Sequence, residues 1–339
     1  MSTVNQTAYI GCALSGEIYT VNLSLTTGKL AYQNHIRLPG LDKPGGAMPL
    51  ALSRDRTTLY ATSRGEPFFI AAFGLDPQGN LFHLGNTLID NNLAYLQTGI
   101  DDKYLLTASF IDHQVATYFI QADRCIGNRA HCVEKIPNAH MLAMGPDNKT
   151  VLGTGLGEDV IYHWQWAPSQ HDDPTLPPMH YINQLKLPTG MGPRHIAYHP
   201  NRSIAYAIGE RNGTISAIEY DKSGLRLVQT IDLPDQSEPF QAADIHITPN
   251  ARFLYASEKA TSTLHLFSVQ ADGKLTFAAQ FFTENRPRGF AITPDSNYLV
   301  VAGQYSHHIA SYRIDIETGN LQLISRLPVG QSPDWVAML

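Results

Sequence analysis

Four residues of this chain combine the side-chain types needed to bind an anion and to move a proton: His140, Arg194, Glu210 and Arg288. They stand at equivalent points of a repeat, where several other copies carry apolar or neutral residues. Arginine binds carboxylate and phosphate groups through paired hydrogen bonds. Histidine and glutamate serve as proton donors and acceptors in catalysis. The four residues therefore predict an anion-binding site with acid–base chemistry.

A structural role is the alternative for several of these residues. Arg194 and Glu210 belong to one repeat, and an ion pair between them would hold that repeat together without any catalysis. His140 could equally be a structural histidine. The sequence alone leaves both alternatives open for these three residues.

A second group of polar residues belongs to the same region. Lys259 and Gln304 stand at positions equivalent to Glu210, and Asp244 and His246 lie two apart on one face of a strand. We expect these four, together with the two arginines, to bind substrate. The alternative for Asp244 and His246 is a hydrogen-bonded link between neighbouring repeats. The second-choice candidates are His195 and His199, which flank the first strand of the repeat that contains Arg194.

The repeat that positions these residues is marked by turns that carry Asp or Asn between two apolar runs. Successive turn residues are 46, 46, 54, 49 and 45 positions apart. A period near 48 divides 339 residues into about seven units, and such periods are typical of β-propellers. The turn residues are Asp55, Asp101, Asp147, Asn201, Asn250 and Asp295.

One unit contains four short runs with the composition of β-strands, shown by residues 193–201, 204–209, 214–220 and the run that follows Gly224. The fold predicted is all-β, a seven-bladed β-propeller of four-stranded antiparallel blades forming one domain over residues 1–339. The four candidate residues would then lie at the mouth of the central channel, the end at which each first strand begins.

The two ends of the chain are complementary. Residues 7–36 contain runs like strands two to four of a unit, whereas residues 333–339 (PDWVAML) resemble a first strand. We therefore predict that the N- and C-terminal strands pair within one blade and close the ring, which removes an open sheet edge. Two stretches depart from the pattern, and we predict enlarged loops there, over residues 121–135 and 166–187.

Composition excludes several classes of function. A net charge of −6 and a pI near 6.1 argue against a nucleic-acid partner, and no apolar run approaches the roughly 20 residues that span a bilayer. The N-terminus lacks the features of a signal peptide, and three cysteines fit a reducing cytoplasm. We expect a cytoplasmic monomer or weak homodimer. No zinc-binding spacing is present, and arginines would repel a cation at the mouth, so no metal and no cofactor are predicted.

Four motifs resemble the lactonase family of seven-bladed β-propellers, which includes bacterial propeller-type 6-phosphogluconolactonases and fungal 3-carboxy-cis,cis-muconate lactonizing enzymes. The resemblance implies that a histidine, two arginines and a glutamate of the lactonizing branch correspond to His140, Arg194, Arg288 and Glu210. The motifs are GPRHIAYHPN (192–201), AADIHITPNARFLYA (242–256), RPRGFAITPD (286–295) and AGQYSHHIASYRI (302–314).

The resemblance implies hydrolysis of a sugar lactone, 6-phospho-D-glucono-1,5-lactone, to 6-phosphogluconate in the pentose phosphate pathway. In this hypothesis Arg194 and Arg288 bind the phosphate or the developing oxyanion, and either Glu210 or His140 is the general base toward water. Two alternatives remain open at this point. One is a lactonizing isomerase or other lactone chemistry, and the other is a propeller that binds a ligand or a protein without catalysis.

Overall fold

The computed structural model describes residues 4–168, 177–234 and 239–339, which form 28 β-strands in seven four-stranded antiparallel sheets. Each sheet is one blade. Blade one contains β1 (Asn5–Cys12), β2 (Glu17–Ser24), β3 (Leu30–Arg37) and β28 (Pro333–Met338); blade two contains β4 (Leu50–Leu52), β5 (Thr58–Thr62), β6 (Phe69–Leu75) and β7 (Leu81–Leu88); blade three contains β8 (Leu93–Thr98), β9 (Tyr104–Ser109), β10 (Gln114–Ile120) and β11 (Ile126–Glu134).

The other four blades follow the same plan. Blade four contains β12 (Ala139–Met144), β13 (Thr150–Gly155), β14 (Val160–Trp166) and β15 (Met179–Lys186); blade five contains β16 (Pro193–Tyr198), β17 (Ile204–Gly209), β18 (Thr214–Asp221) and β19 (Gly224–Asp232); blade six contains β20 (Ala242–Ile247), β21 (Phe253–Glu258), β22 (Thr263–Val269) and β23 (Leu275–Phe282); blade seven contains β24 (Pro287–Ile292), β25 (Tyr298–Gly303), β26 (His308–Ile314) and β27 (Leu321–Pro328).

The blades form a closed ring around a central channel. The innermost strands contact one another in the order β28, β4, β8, β12, β16, β20 and β24, and β24 in turn contacts β28. The ring is closed within blade one, where β28 pairs with β1 in antiparallel register, with Ile10 opposite Val336. The predicted seven-bladed propeller and its closure by the two terminal strands are therefore confirmed.

The turns between first and second strands explain the repeat seen in the sequence. The side chain of Asn250 accepts a hydrogen bond from the backbone N–H of Arg252 at 3.1 Å, and Asp295 accepts one from Asn297 at 3.0 Å. An Asp or Asn side chain that caps its own backbone two residues further on stabilises a tight turn. Each such turn fixes the register between the two strands that build the channel wall.

The hydrophobic core is divided among the interfaces between blades. Each of seven clusters of buried apolar side chains contains residues of two adjacent blades. Tyrosines on the second strands add a polar link, because the Tyr206 hydroxyl donates to the Gly273 carbonyl of the next blade at 2.7 Å, and Tyr9 does so to Gly79 at 2.7 Å. Neighbouring blades are thus held by both apolar packing and specific hydrogen bonds.

Both predicted enlarged loops were wrong in part. Residues 121–135 contain β11, the fourth strand of blade three, whose pairing with β10 has a second register shift, between Tyr118 and Ile120, that the third-to-fourth strand pairings of the other blades lack. Residues 166–187 contain β15, the fourth strand of blade four, while residues 169–176 within that stretch lie outside the described residues. Outer strands have alternating exposure and tolerate polar residues, which makes them hard to distinguish from loops.

The described residues include no helix that is long and apolar enough to cross a membrane.

Candidate active site

The candidate residues are brought together by a β-bulge at the start of the first strands. In β16, Pro193 is opposite Gly209 and Ile196 is opposite Ala207, so two residues, Arg194 and His195, face one position of β17. Bulges re-aim side chains next to active sites. The equivalent bulges in β12 and β20 lie between Ala139 and Leu142 and between Ala242 and Ile245. As a result, Arg194 and His195 are both buried although they are adjacent in sequence.

Arg194 is a buried cation at the mouth of the channel, with only 2% of its side chain exposed. Its Nε atom lies 3.6 Å from Oε2 of Glu210, and its Nη1 donates a hydrogen bond to the carbonyl of Ala243 on the next blade. Burial lowers the pKa of Arg194 to about 10, against the opposing effect of Glu210, so the guanidinium stays charged at neutral pH. The ion pair that the sequence suggested is present.

Glu210 holds two cations at once. Its Oε1 lies 3.0 Å from Nζ of Lys259, while Oε2 faces Arg194. Burial would raise the pKa of Glu210, but Arg194 and Lys259 outweigh burial and lower it to about 2. Burial lowers the pKa of Lys259 to about 8 in spite of Glu210. Glu210 is therefore a firmly ionised carboxylate and a weak proton acceptor.

Arg288 lies on blade seven, two blades from Arg194, and its charge acts on Arg194, Glu210 and Lys259. Its Nη1 donates to the carbonyl of Gly46 at 3.1 Å and lies 3.8 Å from Oδ2 of Asp334. Asp334 is fully buried on the C-terminal strand, with both carboxylate oxygens 3.3 Å from the backbone nitrogen of Met48. Burial raises the pKa of Asp334 to about 6, although Arg288 and the Met48 N–H act in the opposite direction.

The mouth carries more positive than negative charge. Arg64, whose Nε donates to Asn92 at 2.8 Å, joins the three predicted cations, and its own pKa is lowered by burial and by the charge of Arg288. Arg64 and Asp334 are mouth residues that the sequence analysis did not single out. When all are ionised, two carboxylates face four cations: Arg64, Arg194, Lys259 and Arg288.

His140 is buried among these charges, with 4% of the residue exposed. Its ring centroid lies 5.1 Å from the ring centroid of His195 and 6.0 Å from that of Phe110. Within the part of the chain that the structure describes, its Nδ1 has no hydrogen-bond partner. Burial, reinforced by Arg194 and His195, lowers the pKa of His140 well below its usual range. His140 is therefore a neutral imidazole that no described carboxylate orients.

Asp244 is the centre of a polar network just below the mouth. Its Oδ1 lies 2.7 Å from Nδ1 of His195, and its Oδ2 lies 3.1 Å from Nε2 of His246. The same Oδ2 accepts the backbone N–H of Phe290 on blade seven at 3.2 Å. Asp244 therefore pairs with His246 and also links blades six and seven, which was the structural alternative for these two residues. The second-choice residue His195 is the closer partner.

Two further candidates lie apart from this network. The backbone N–H of Gln304 donates to the carbonyl of Arg286 at 3.1 Å; within the described residues, the Gln304 side chain makes no hydrogen bond with the other mouth residues. His199 caps a turn, where its Nδ1 accepts the backbone N–H of Asn201 at 3.1 Å. Among the described residues, neither side chain forms a hydrogen bond or ion pair with the cation cluster.

Below the mouth the channel widens into a cavity of about 440 Å³, which is lined by first-strand residues of all seven blades. Three aromatic rings converge at its upper end. The ring centroids of Tyr95, His195 and Trp335 are 5.8, 5.8 and 5.9 Å apart, and the rings come from blades three, five and one. All three rings line the cavity, and His195 also contacts Arg194 at the mouth.

Metal binding needs several converging ligands. Among the described residues, no group of three or more His, Cys, Asp or Glu side chains is placed to hold a metal ion. The cations at the mouth suit an anionic ligand instead.

Comparison with known proteins gives matches along nearly the whole chain. The model of the family described as lactonase, 7-bladed beta-propeller matches residues 7–338. The chain is 32% identical over 341 residues to a 6-phosphogluconolactonase of Pectobacterium carotovorum, covering 99% of both chains. A 6-phosphogluconolactonase of Yersinia pestis is 31% identical over 340 residues, covering 99% of this chain and 98% of the relative.

Solved structures share the fold. A Bacteroides fragilis protein, provisionally described as a 6-phosphogluconolactonase, superimposes with a TM-score of 0.89 at 24% identity, covering 99% of this chain and 98% of the other. The periplasmic gluconolactonase of Pseudomonas aeruginosa gives a TM-score of 0.86 at 22% identity, covering 99% of both chains. At these identities the structures support the architecture.

Proposed function

This chain belongs to the lactonase family of seven-bladed β-propellers, and we propose that it hydrolyses 6-phospho-D-glucono-1,5-lactone to 6-phosphogluconate. In this proposal the enzyme is a carboxylic ester hydrolase that acts in the pentose phosphate pathway in the cytoplasm. The relatives of 31–32% identity that carry the name 6-phosphogluconolactonase support the substrate class.

The observation that carries the proposal is the surplus of positive charge at the mouth. Buried charges are costly unless they are paired. Among the described residues, Arg64, Arg194, Lys259 and Arg288 face Glu210 and Asp334 at the mouth. Asp244 also acts on Arg194 from below the mouth, where its carboxylate is shared with His195 and His246. A bound phosphate monoester carries close to two negative charges and would balance that surplus. An uncharged sugar lactone would not balance it. The charge count therefore favours a phosphorylated substrate over an unphosphorylated one.

Lactone hydrolysis needs a stabilised oxyanion and a path for a proton. Water adds to the carbonyl carbon, and Arg194 or Arg288 stabilises the negative charge that develops on the carbonyl oxygen. The low pKa of Glu210 suits a carboxylate that holds Arg194 and Lys259 in place better than it suits a general base. Of the two proton-transfer residues that the sequence suggested, the neutral His140 then fits better. The steps require water and protein groups alone.

The direct test is hydrolysis of freshly generated 6-phosphogluconolactone, with the spontaneous rate subtracted. We expect rapid turnover by the wild-type protein. No acceleration above the spontaneous rate would reject the proposal.

A second candidate reaction also suits a cluster of arginines. The substrate of a 3-carboxy-cis,cis-muconate lactonizing enzyme carries several carboxylates, which Arg194 and Arg288 would bind for the same electrostatic reason. A screen of carboxymuconate beside the phospholactone separates the two reactions.

Size-exclusion chromatography with light scattering tests the accompanying prediction of a monomer or weak homodimer. A single unfolding transition would support one domain over residues 1–339.

A further inference from the structure

We propose that His195 is the general base that activates the attacking water and that Asp244 is the positioning residue that holds it. This inference rests on the proposed lactone hydrolysis and assigns its proton-transfer step. It replaces the predicted choice between Glu210 and His140 with a third residue that the sequence analysis ranked lower.

The first support is the geometry of the pair. Nδ1 of His195 lies 2.7 Å from Oδ1 of Asp244, and both residues are at least nine-tenths buried. An ionised carboxylate only accepts hydrogen bonds, so Nδ1 carries the proton and Nε2 keeps its lone pair. This is the arrangement by which a carboxylate fixes the tautomer of a catalytic histidine and stabilises the imidazolium that forms during the reaction.

The second support is the rigidity of Asp244. Its carboxylate accepts backbone N–H groups from Ile245 at 3.0 Å and from Phe290 at 3.2 Å, while its own N–H donates to the Ser257 hydroxyl at 3.0 Å. Burial would raise the pKa of Asp244, but His246 and His195 outweigh burial and hold it well below its usual range. Asp244 therefore stays ionised and fixed while its partner gains and loses a proton.

The third support is location. Nε2 of His195 accepts a hydrogen bond from Nη1 of Arg194 at 3.3 Å, so its lone pair becomes available to water when Arg194 turns this donor toward the phosphate or the oxyanion. The same imidazole lines the channel cavity beneath the mouth. A lactone whose carbonyl oxygen contacts Arg194 would thus have its attacking water within reach of Nε2. A productive general base needs that proximity before any other property.

Neither predicted base has these features. Glu210 is held between two cations that weaken it as a proton acceptor. The Nδ1 of His140 has no partner among the described residues that would orient the ring or stabilise an imidazolium. The ring centroid of His140 lies 5.1 Å from that of His195. We therefore assign His140 as a neighbour of the base and not as the base.

The charges around His195 determine when it can accept a proton. Arg194 on its own strand and His246 on β20 disfavour a positive charge on His195, as does His140 on β12. Asp244 on β20 favours that charge, and Tyr95 on β8 contacts the ring without charge. Burial and Arg194 lower the pKa of His195 to about 4 in spite of Asp244, so the imidazole is unprotonated at neutral pH. A phosphate bound at the mouth would offset Arg194 and strengthen the base when substrate is present.

The proton balance of the step is complete. Nε2 takes one proton from water as the oxygen bonds to the lactone carbonyl carbon, and a tetrahedral oxyanion forms beside Arg194. The bond from that carbon to the ring oxygen then breaks, and His195 returns the proton to the leaving alkoxide. The products are the open-chain hydroxy acid and the original enzyme.

The experiment compares kcat and KM for 6-phosphogluconolactone in the wild type, His195→Gln and Asp244→Asn. The control is His163→Gln, which alters a buried histidine on β14, away from the mouth. We expect kcat to fall on the order of 10²-fold or more in both site variants, with KM changed little and kcat of the control preserved. Binding of the product 6-phosphogluconate, measured by calorimetry, is expected to persist in His195→Gln.

Chemical rescue adds a readout that a purely structural role would not produce. In His195→Gly we expect added imidazole to restore part of the rate, with a pH dependence that follows the free imidazole. If the wild type hydrolyses the lactone and His195→Gln has the same kcat, the assignment of His195 as the base is overturned while the proposed function stands. Loss of product binding in His195→Gln, with no rescue of His195→Gly, would overturn it in favour of a structural role. No acceleration by the wild type would overturn the proposed function and this inference together.

Discussion

Blade five and blade three have the same strand plan and the same bulge at the start of the first strand, yet their mouth residues differ in chemistry. Blade five has Arg194 and Glu210 where blade three has Ala94 and Phe110. Because both blades close the same ring, the propeller does not need charge at these positions. The comparison shows that the backbone provides equivalent sites and that a few side chains decide what each site does.

The energetic contrast points the same way. Ala94 is buried without any partner to satisfy, whereas Arg194 is a buried cation that depends on Glu210 and on the carbonyl of Ala243. Burying charge costs free energy, and pairing recovers only part of it. Charges that the fold does not require are therefore best explained by a ligand, and the predictions below test this difference between blades.

The largest effect is expected from removing the charge of blade five. Arg194→Met keeps much of the buried volume but loses the guanidinium, and we expect kcat/KM for 6-phosphogluconolactone to fall on the order of 10³-fold. Steady-state kinetics with the spontaneous rate subtracted measure this. Arg226→Met is the matched control, because Arg226 lies on the outer strand of the same blade with 69% of its side chain exposed. Activity lost equally in both variants would contradict the site assignment.

A second effect concerns stability. Burial raises the pKa of Asp334 to about 6, so the folded protein binds a proton more tightly there than the unfolded chain. The contribution of the protonated Asp334 to the free energy of unfolding is fully present below about pH 4 and is lost as pH rises through about 6. We expect Asp334→Asn to raise the free energy of unfolding at pH 7.5 by on the order of 1–3 kcal/mol.

Urea denaturation at pH 4 and at pH 7.5 measures this effect, and the gain is expected to shrink at the lower pH. A gain in stability accompanied by lower activity would show that the mouth is arranged for function at a cost to stability. A loss of stability at pH 7.5 would show instead that Asp334 and Arg288 form a net stabilising pair.

The smallest effect is expected between blades, away from the mouth. Tyr206→Phe removes the hydrogen bond to the carbonyl of Gly273, and we expect the free energy of unfolding to fall by about 1 kcal/mol without a change in kcat. Tyr181→Phe is the control, since Tyr181 is on an outer strand with 57% exposure. A clear loss of activity in Tyr206→Phe would contradict the separation between structural and mouth positions.

Much of the fold could be predicted because its cause is local and repeated. Asp and Asn turns, such as those at Asn250 and Asp295, cap their own backbone, and the same residues recur at a nearly fixed period. The fourth strands β11 and β15 were missed because outer strands face solvent on one side and do not need an apolar pattern.

The site was only partly predictable because its decisive contacts depend on bulges and on neighbouring blades. Simple alternation along a strand places Arg194 and His195 on opposite faces, yet the bulge in β16 lets both be buried. The pairing of His195 with Asp244 joins residues 49 positions apart on two blades. No local pattern predicts such a pair, although His195 and Asp244 each directly follow the mouth position of two consecutive repeats.

The measurement that tests the central claim most directly is a side-by-side comparison of phosphorylated and unphosphorylated gluconolactone, with wild type and Arg288→Ala. The account predicts that the wild type has a kcat/KM for the phospholactone higher by on the order of 10²-fold or more, and that Arg288→Ala loses most of this preference. Equal kcat/KM values for the two lactones in the wild type would contradict the claim that the cations at the mouth recognise a phosphate.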